Sequence, residues 1–182
     1  MSSILRSCLA CTRRALVAVV ALLSLSLFTA TGTAQAQAAL APVAVGSSAP
    51  DAMLRTLDGT AVSLKQVIGG RPALLQFWAT WCSTCTELAP TIASVAEQFR
   101  GQLVVVGVAV AANQTPARVQ QYVKKHSLPG VHLFDADGAA RDAFGVPGTS
   151  YVVVLDRAGT VVYIGIGGTQ NLDRAVRDAL LP

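Results

Sequence analysis

The sequence predicts an α/β domain with a central mixed β-sheet flanked by helices and a β-hairpin extension on its N-terminal side. Three observations predict it. Two apolar runs, 73–78 and 103–110, bracket a stretch in which Leu88, Ile92, Val95, Ala96 and Phe99 recur at three- and four-residue spacing. Strand, helix and strand in that order make a βαβ unit, whose two strands lie parallel. Two Val- and Ile-rich runs, 151–156 and 160–166, joined by Arg157-Ala158-Gly159, read as an antiparallel hairpin, so the sheet is mixed. A chain of 182 residues is long enough to bury a full core without cross-links.

Residues 1–38 read as an export signal. Arg6, Arg13 and Arg14 precede an apolar stretch at 15–28, and Ala34-Gln35-Ala36 and Ala36-Gln37-Ala38 follow as small-residue cleavage sites. The apolar stretch is shorter than the roughly 20 residues that span a bilayer, and an uncleaved anchor is the alternative. Thr12-Arg13-Arg14-Ala15-Leu16 is also similar to a twin-arginine signal. Cys8 and Cys11 fall inside this leader, so the domain at 39–182 keeps only Cys82 and Cys85.

The domain opens on an extended lead-in, 39–50. Residues 53–57 and 61–64 flank Asp58-Gly59, a pair that favours a tight hairpin. Gly69-Gly70-Arg71-Pro72 breaks the chain before 73–78, which is apolar enough for a strand buried on both faces. The helix at 83–99 contains Pro90, which lacks an N–H and is expected to kink it; Gly101 ends it. Val119, Tyr122, Val123 and His126 mark a helix starting near Pro116. Residues 130–144 hold a short strand, an Asp-rich turn and a short helix, read as an insertion. Leu172, Val176, Ala179 and Leu180 space a closing helix with Asn171 as its N-cap.

The chemistry lies in Phe77-Trp78-Ala79-Thr80-Trp81-Cys82-Ser83-Thr84-Cys85, where a buried strand ends in two cysteines three apart at the start of a helix. The first N–H groups of a helix lack intrahelical partners, and its dipole favours negative charge there. A thiolate at Cys82 is therefore favoured, and the thiolate is the form that attacks disulfides. Cys85, one turn further in, can close on it. Cys82 is expected to be the exposed attacker and Cys85 the more buried, resolving partner. A structural disulfide or half of a zinc site is the competing reading of the pair.

With Trp78, Ala79, Thr80 and Trp81 before Cys82, and Pro90 five residues after Cys85, the chain resembles the TlpA/ResA-like thiol-disulfide oxidoreductases of the thioredoxin superfamily. Gly107-Val108-Ala109-Val110, Phe134-Asp135-Ala136-Asp137-Gly138, Phe144-Gly145-Val146 and Leu155-Asp156-Arg157-Ala158-Gly159 continue the likeness in order. The resemblance implies a thioredoxin-like fold, catalysis by Cys82 and Cys85, and a site shaped by Trp78, Trp81, Ser83, Thr84, Thr149 and Ser150. It further implies an extracytoplasmic or periplasmic disulfide reductase, fed by a membrane electron donor and serving cytochrome c maturation.

Three positions depart from that pattern. Ser150 stands where these proteins carry a cis-proline opposite the cysteines, and Pro147 falls three residues too early. A cis bond before a non-proline costs roughly 3 to 4 kcal/mol, so Thr149-Ser150 is expected to be trans, with the Ser150 hydroxyl near Cys82. The alternative is that Pro147 merely stiffens a glycine-rich turn. Leu88 occupies the position where the family often has a glutamate, while Glu87 points to solvent. Gln76 stands in place of a buried, proton-handling acid. His126 and His132 are expected to sit away from the cysteines, so no metal site and no cofactor are anticipated.

Composition excludes other classes. The net charge of +4 rests on fourteen basic and ten acidic residues, and removing the three leader arginines leaves eleven basic residues. A nearly neutral domain with no basic cluster beyond Lys124-Lys125 has no electrostatic footprint for nucleic acid, and membrane attachment would come only through the N-terminal segment. The expected partners are thiol- or disulfide-bearing proteins. A non-catalytic binding or metal-handoff module, with the site degraded at Ser150 and Leu88, is the second functional reading.

Overall fold

The computed structural model describes residues 43–181, so the segment read as an export signal, with Cys8, Cys11 and both expected cleavage sites, lies outside the described residues. Seven strands form one sheet: β1 (Met53–Thr56), β2 (Ala61–Ser63), β3 (Ala73–Trp78), β4 (Val104–Val110), β5 (Val131–Asp135), β6 (Tyr151–Leu155) and β7 (Val161–Ile166). Five helices accompany them: α1 (Leu64–Ile68), α2 (Ser83–Gln98), α3 (Pro116–His126), α4 (Ala139–Ala143) and α5 (Leu172–Leu180). The strand order is β2-β1-β5-β4-β3-β6-β7. Pairing is parallel for β3 with β4 and β4 with β5, and antiparallel elsewhere.

Alternation along the central strands divides the core between the two faces, as a two-residue period requires. Leu75, Phe77, Val106, Val108, Val153 and Leu155 pack on one face, against residues of α1 and α4. Leu74, Val105, Val152 and Val154 pack on the other, against Leu88, Ile92 and Val95 of α2 and Leu172 and Val176 of α5. Phe77 is fully buried between Phe144 and Tyr151, at ring-centroid distances of 5.4 and 6.1 Å. Removing such a ring costs about 3 to 5 kcal/mol.

Helix ends are satisfied locally. Thr115 caps α3 and Asn171 caps α5, each accepting the N–H three residues on. Asp135, at the end of β5, accepts the N–H groups of Ala140 and Arg141 and so starts α4. Helix α2 passes through Pro90 and continues to Gln98. Residues 130–144 form the expected short strand, turn and short helix, and β5 is an inner strand, parallel to β4 and antiparallel to β1.

Candidate functional site

Strand β3 delivers the cysteine motif at its C-terminal end, where open α/β sheets place their sites. The Cys82 N–H donates to Ala79 O at 3.1 Å, turning the chain, and Cys82 becomes the N-cap of α2 with extended backbone angles. Its Sγ accepts the Cys85 N–H at 3.0 Å and lies 3.3 Å from Thr84 Oγ1. Cys82 and Cys85 are joined by a disulfide with Cα atoms 5.2 Å apart. A sulfur at this point takes the place of the hydroxyl or carboxylate oxygen that ordinarily caps a helix.

Exposure does not separate the two cysteines as expected, since Cys82 is 5% and Cys85 6% exposed. The reason is geometric. Cys82 Sγ turns back over the helix start toward Thr84 and the Cys85 N–H rather than outward. Ser83 and Thr84 are exposed around it, and Trp81, 47% exposed, flanks it with its Nε1–H on Ala112 O at 2.8 Å. Trp78 is buried in the same apolar cluster as both cysteines, its ring centroid 5.7 Å from Tyr122 and 5.4 Å from His132.

Ser150 closes the other side. No peptide bond among the described residues is cis, and Ser150 instead has φ +63°, a conformation rare for a residue with a Cβ. It is fully buried, and its N–H donates to Phe77 O at 3.0 Å. Ser150 Oγ lies 2.9 Å from Gly167 O and 3.3 Å from Thr84 O, a carbonyl of the segment between the two cysteines. The hydroxyl is committed to these carbonyls, and through Thr84 it touches the backbone of the motif. Thr149, half-buried, precedes it.

The histidines are also corrected. A cavity of about 340 Å³ behind the disulfide is lined by Cys85, Gln76, Trp78, Tyr122, His126 and His132 among others, so both imidazoles share a wall with Cys85. Burial holds the His132 pKa below 6.5, with the carbonyls of Pro129 and Leu128 partly opposing it. Among the described residues, no group of three His, Cys, Asp or Glu side chains converges as a metal site would. Leu88 is fully buried in the core below the motif, and Glu87 is exposed, beside Gly168.

Two positioning residues had no sequence signal because they sit in loops. Gln114 accepts the Thr80 N–H at 2.9 Å and donates to Val110 O, fixing the turn before the cysteines. Gln170 donates to Ser150 O at 3.2 Å and Gly167 O at 2.8 Å, and accepts from the Tyr163 hydroxyl at 3.2 Å. His132 did leave a signal, in Gly107: a glycine inside a Val-rich strand marks a close approach.

The sequence pattern of the redoxin family matches residues 44–181, which includes every element described above. The chain belongs to the redoxin family. Within it, the chain is 31% identical over 123 residues to the thioredoxin-like protein YneN of Bacillus subtilis, covering 67% of this chain and 71% of that one. It is 27% identical over 125 residues to the thiol-disulfide oxidoreductase ResA of the same organism, covering 69% of each. Among solved structures, MTB dsbF in its mixed oxidized and reduced forms matches with a TM-score of 0.60 and 31% identity, over 70% of this chain and 93% of that one. A thiol:disulfide interchange protein from Chlorobium tepidum matches with a TM-score of 0.63 and 26% identity, over 75% and 98%. This redoxin is thus a TlpA/ResA-like thiol-disulfide oxidoreductase with a thioredoxin-like fold.

Proposed function

We propose that this redoxin is an exported disulfide reductase whose residues 1–38 direct it across the membrane and whose domain, 39–182, works in the periplasm or at the extracytoplasmic face. Its substrates are proteins bearing disulfides, and its electrons come from a membrane donor. The observation that carries the reading is the Cys85 N–H on Cys82 Sγ at 3.0 Å, at the start of α2. In the reduced protein the same N–H, backed by the helix dipole, favours a Cys82 thiolate. Export is supported by the leader sequence and by likeness to the mycobacterial soluble secreted antigen MPT53, 32% identical over 95 residues. A place in cytochrome c maturation is what the TlpA/ResA-like pattern around Cys82 and Cys85 implies.

The reaction runs in two displacements. Cys82 thiolate attacks one sulfur of the partner's disulfide, forming a mixed disulfide and releasing the first partner thiolate, which takes up a proton. Cys85 then loses its proton, attacks Cys82 Sγ and releases the second partner thiolate. Two electrons have passed to the partner, whose two thiolates are protonated by the proton Cys85 lost and by one from water, and the Cys82–Cys85 disulfide remains for the donor to reduce. Trp81, Ser83, Thr84 and Thr149 shape the surface on which the partner's chain lies, and Trp78 and Ser150 back the pair from within.

An equilibrium redox titration in graded thiol buffers, read by Trp78 and Trp81 fluorescence and checked by alkylation, tests this. A potential below about −220 mV supports the reductase, whereas one near −120 mV makes the protein an oxidant. Failure to reduce reversibly would leave a structural staple.

A further inference from the structure

Gln76, Gly107 and His132 form one row across the middle of the sheet. Gln76 on β3 is in register with Gly107 on β4, and Gly107 with His132 on β5. Register partners present their side chains to the same face. This is the face beneath α2, since Trp78, two residues after Gln76, packs with Cys85. The glycine leaves a gap in the row that His132 fills: a Cβ at 107 would overlap the imidazole and come within 2.9 Å of Trp78 Nε1.

The cavity of about 340 Å³ lies over this row, with exposed Pro90, His126 and Ser127 at its rim. At roughly 30 Å³ per water molecule it has room for several. Nε1 of Trp78 is buried without a hydrogen-bond partner, and the buried ring nitrogens of His132 have near them only the carbonyls of Pro129 and Leu128, neither in full hydrogen-bond geometry. Buried polar atoms are ordinarily paired, so these atoms around one cavity call for something polar inside it. Cys85 is the one thiol in its wall, and no carboxylate, ammonium or guanidinium lines it.

We propose that His132 holds the proton that Cys85 releases when it attacks the mixed disulfide, the proton passing through water in the cavity. This rests on the reading of Cys82 as attacker and Cys85 as resolver. The Cys85 S–H bond breaks and an imidazolium N–H forms; the Cys85–Cys82 S–S bond forms as the Cys82–partner S–S bond breaks. The partner leaves as a thiolate carrying the electron pair, and the imidazolium returns its proton to that thiolate through the same water. His132 thereby takes the task that Gln76, which does not titrate, leaves undone.

The polar and aromatic groups lining the cavity with His132 are Gln76 and Trp78 from β3, Cys85 and Thr86 from α2, Tyr122 and His126 from α3, and Ser127 after it, with Leu128 and Pro129 presenting carbonyls to the imidazole. Of these only Cys85, Tyr122 and His126 titrate. His126 stacks on Tyr122 at 4.2 Å and stands at the exposed rim, while the Tyr122 hydroxyl lies 3.4 Å from Thr86 Oγ1. Burial keeps His132 neutral near pH 7, the form that accepts a proton.

The reduced protein mixed with dithiobis(nitrobenzoate) separates the two attacks, because a coloured thiolate leaves once when Cys82 attacks and again when Cys85 resolves. His132→Asn is expected to slow the second release about ten-fold near neutral pH and to remove its inflexion in the imidazole range, leaving the first release unchanged. Equal slowing of both releases, or no change in either, overturns the proposal. A wild-type protein that releases only one equivalent instead overturns the Cys82–Cys85 couple, and the His132 role with it. Should the variant not fold, NMR titration of His132 in the unaltered protein decides: a higher pKa in the reduced than in the oxidised form is expected, and identical curves overturn the proposal.

Discussion

The backbone N–H of Ser150 donates to the carbonyl of Phe77 at 3.0 Å, and Ser150 makes this bond at φ +63°. A proline there has no N–H to give and fixes φ near −65°. Ser150→Pro is therefore expected to destabilise the domain by about 3 kcal/mol or more in urea unfolding. Ser150→Gly keeps the N–H, adopts φ +63° freely and loses only the hydroxyl bonds, so it should stay within about 1 kcal/mol of wild type. A proline variant as stable as wild type would mean that the loop pairs with β3 in another way.

Gly107→Ala should cost about 1 to 3 kcal/mol, since the added methyl meets the His132 and Trp78 rings. Combined with His132→Ala, much of that loss should return, giving a coupling of about 0.5 to 3 kcal/mol in a double-mutant cycle. Additive losses would show that the two positions do not share the space.

Stability should fall as pH drops below about 6.5, because His132 has a folded pKa below its unfolded value of 6.5. The unfolded chain then binds the proton that the folded one resists, so the stability present above pH 6.5 is lost as pH falls toward the folded value. His132→Gln should flatten this slope, as judged from urea midpoints at about pH 7.5 and 5.5. An equally steep variant would assign the slope to another group.

Leu88→Glu puts a carboxyl into the core beneath α2, where Leu88 has no exposure. Burial raises the folded pKa above the unfolded value of about 4.3, so the charge penalty is absent below that pH and grows as pH rises. The variant should lose more than about 3 kcal/mol at pH 7 and distinctly less at pH 4. Glu87→Gln, on the exposed side, should change neither stability nor the pH dependence of reduction.

The long elements were legible because their cores are periodic. Leu88, Ile92 and Val95 mark α2, the valines of 104–110 mark β4, and 151–166 reads as a hairpin without help. Helix α1 was not legible: it has five residues, and its start depends on Ser63 and on Asp51, which accepts the Lys65 N–H from fourteen residues away. Within the site, the cysteine pair and its tryptophans declare themselves. Nothing local in Val131-His132-Leu133 places an imidazole behind Cys85, because that depends on the register of three strands. Gln114 and Gln170 likewise act over distances that only the folded chain closes.

The central place of β3 has a consequence for measurement. With β6 and β7 on one side and four strands on the other, its amides are among the last to exchange with deuterium, and they do so only when the whole domain opens. Exchange at Leu75 and Phe77 therefore gauges global stability, separately in the oxidised and the reduced protein. The difference closes a thermodynamic cycle and equals the gap between the potential of the cysteine pair in the native domain and in the unfolded chain. Deuterium uptake at two core amides would thus report how far folding itself sets the redox chemistry.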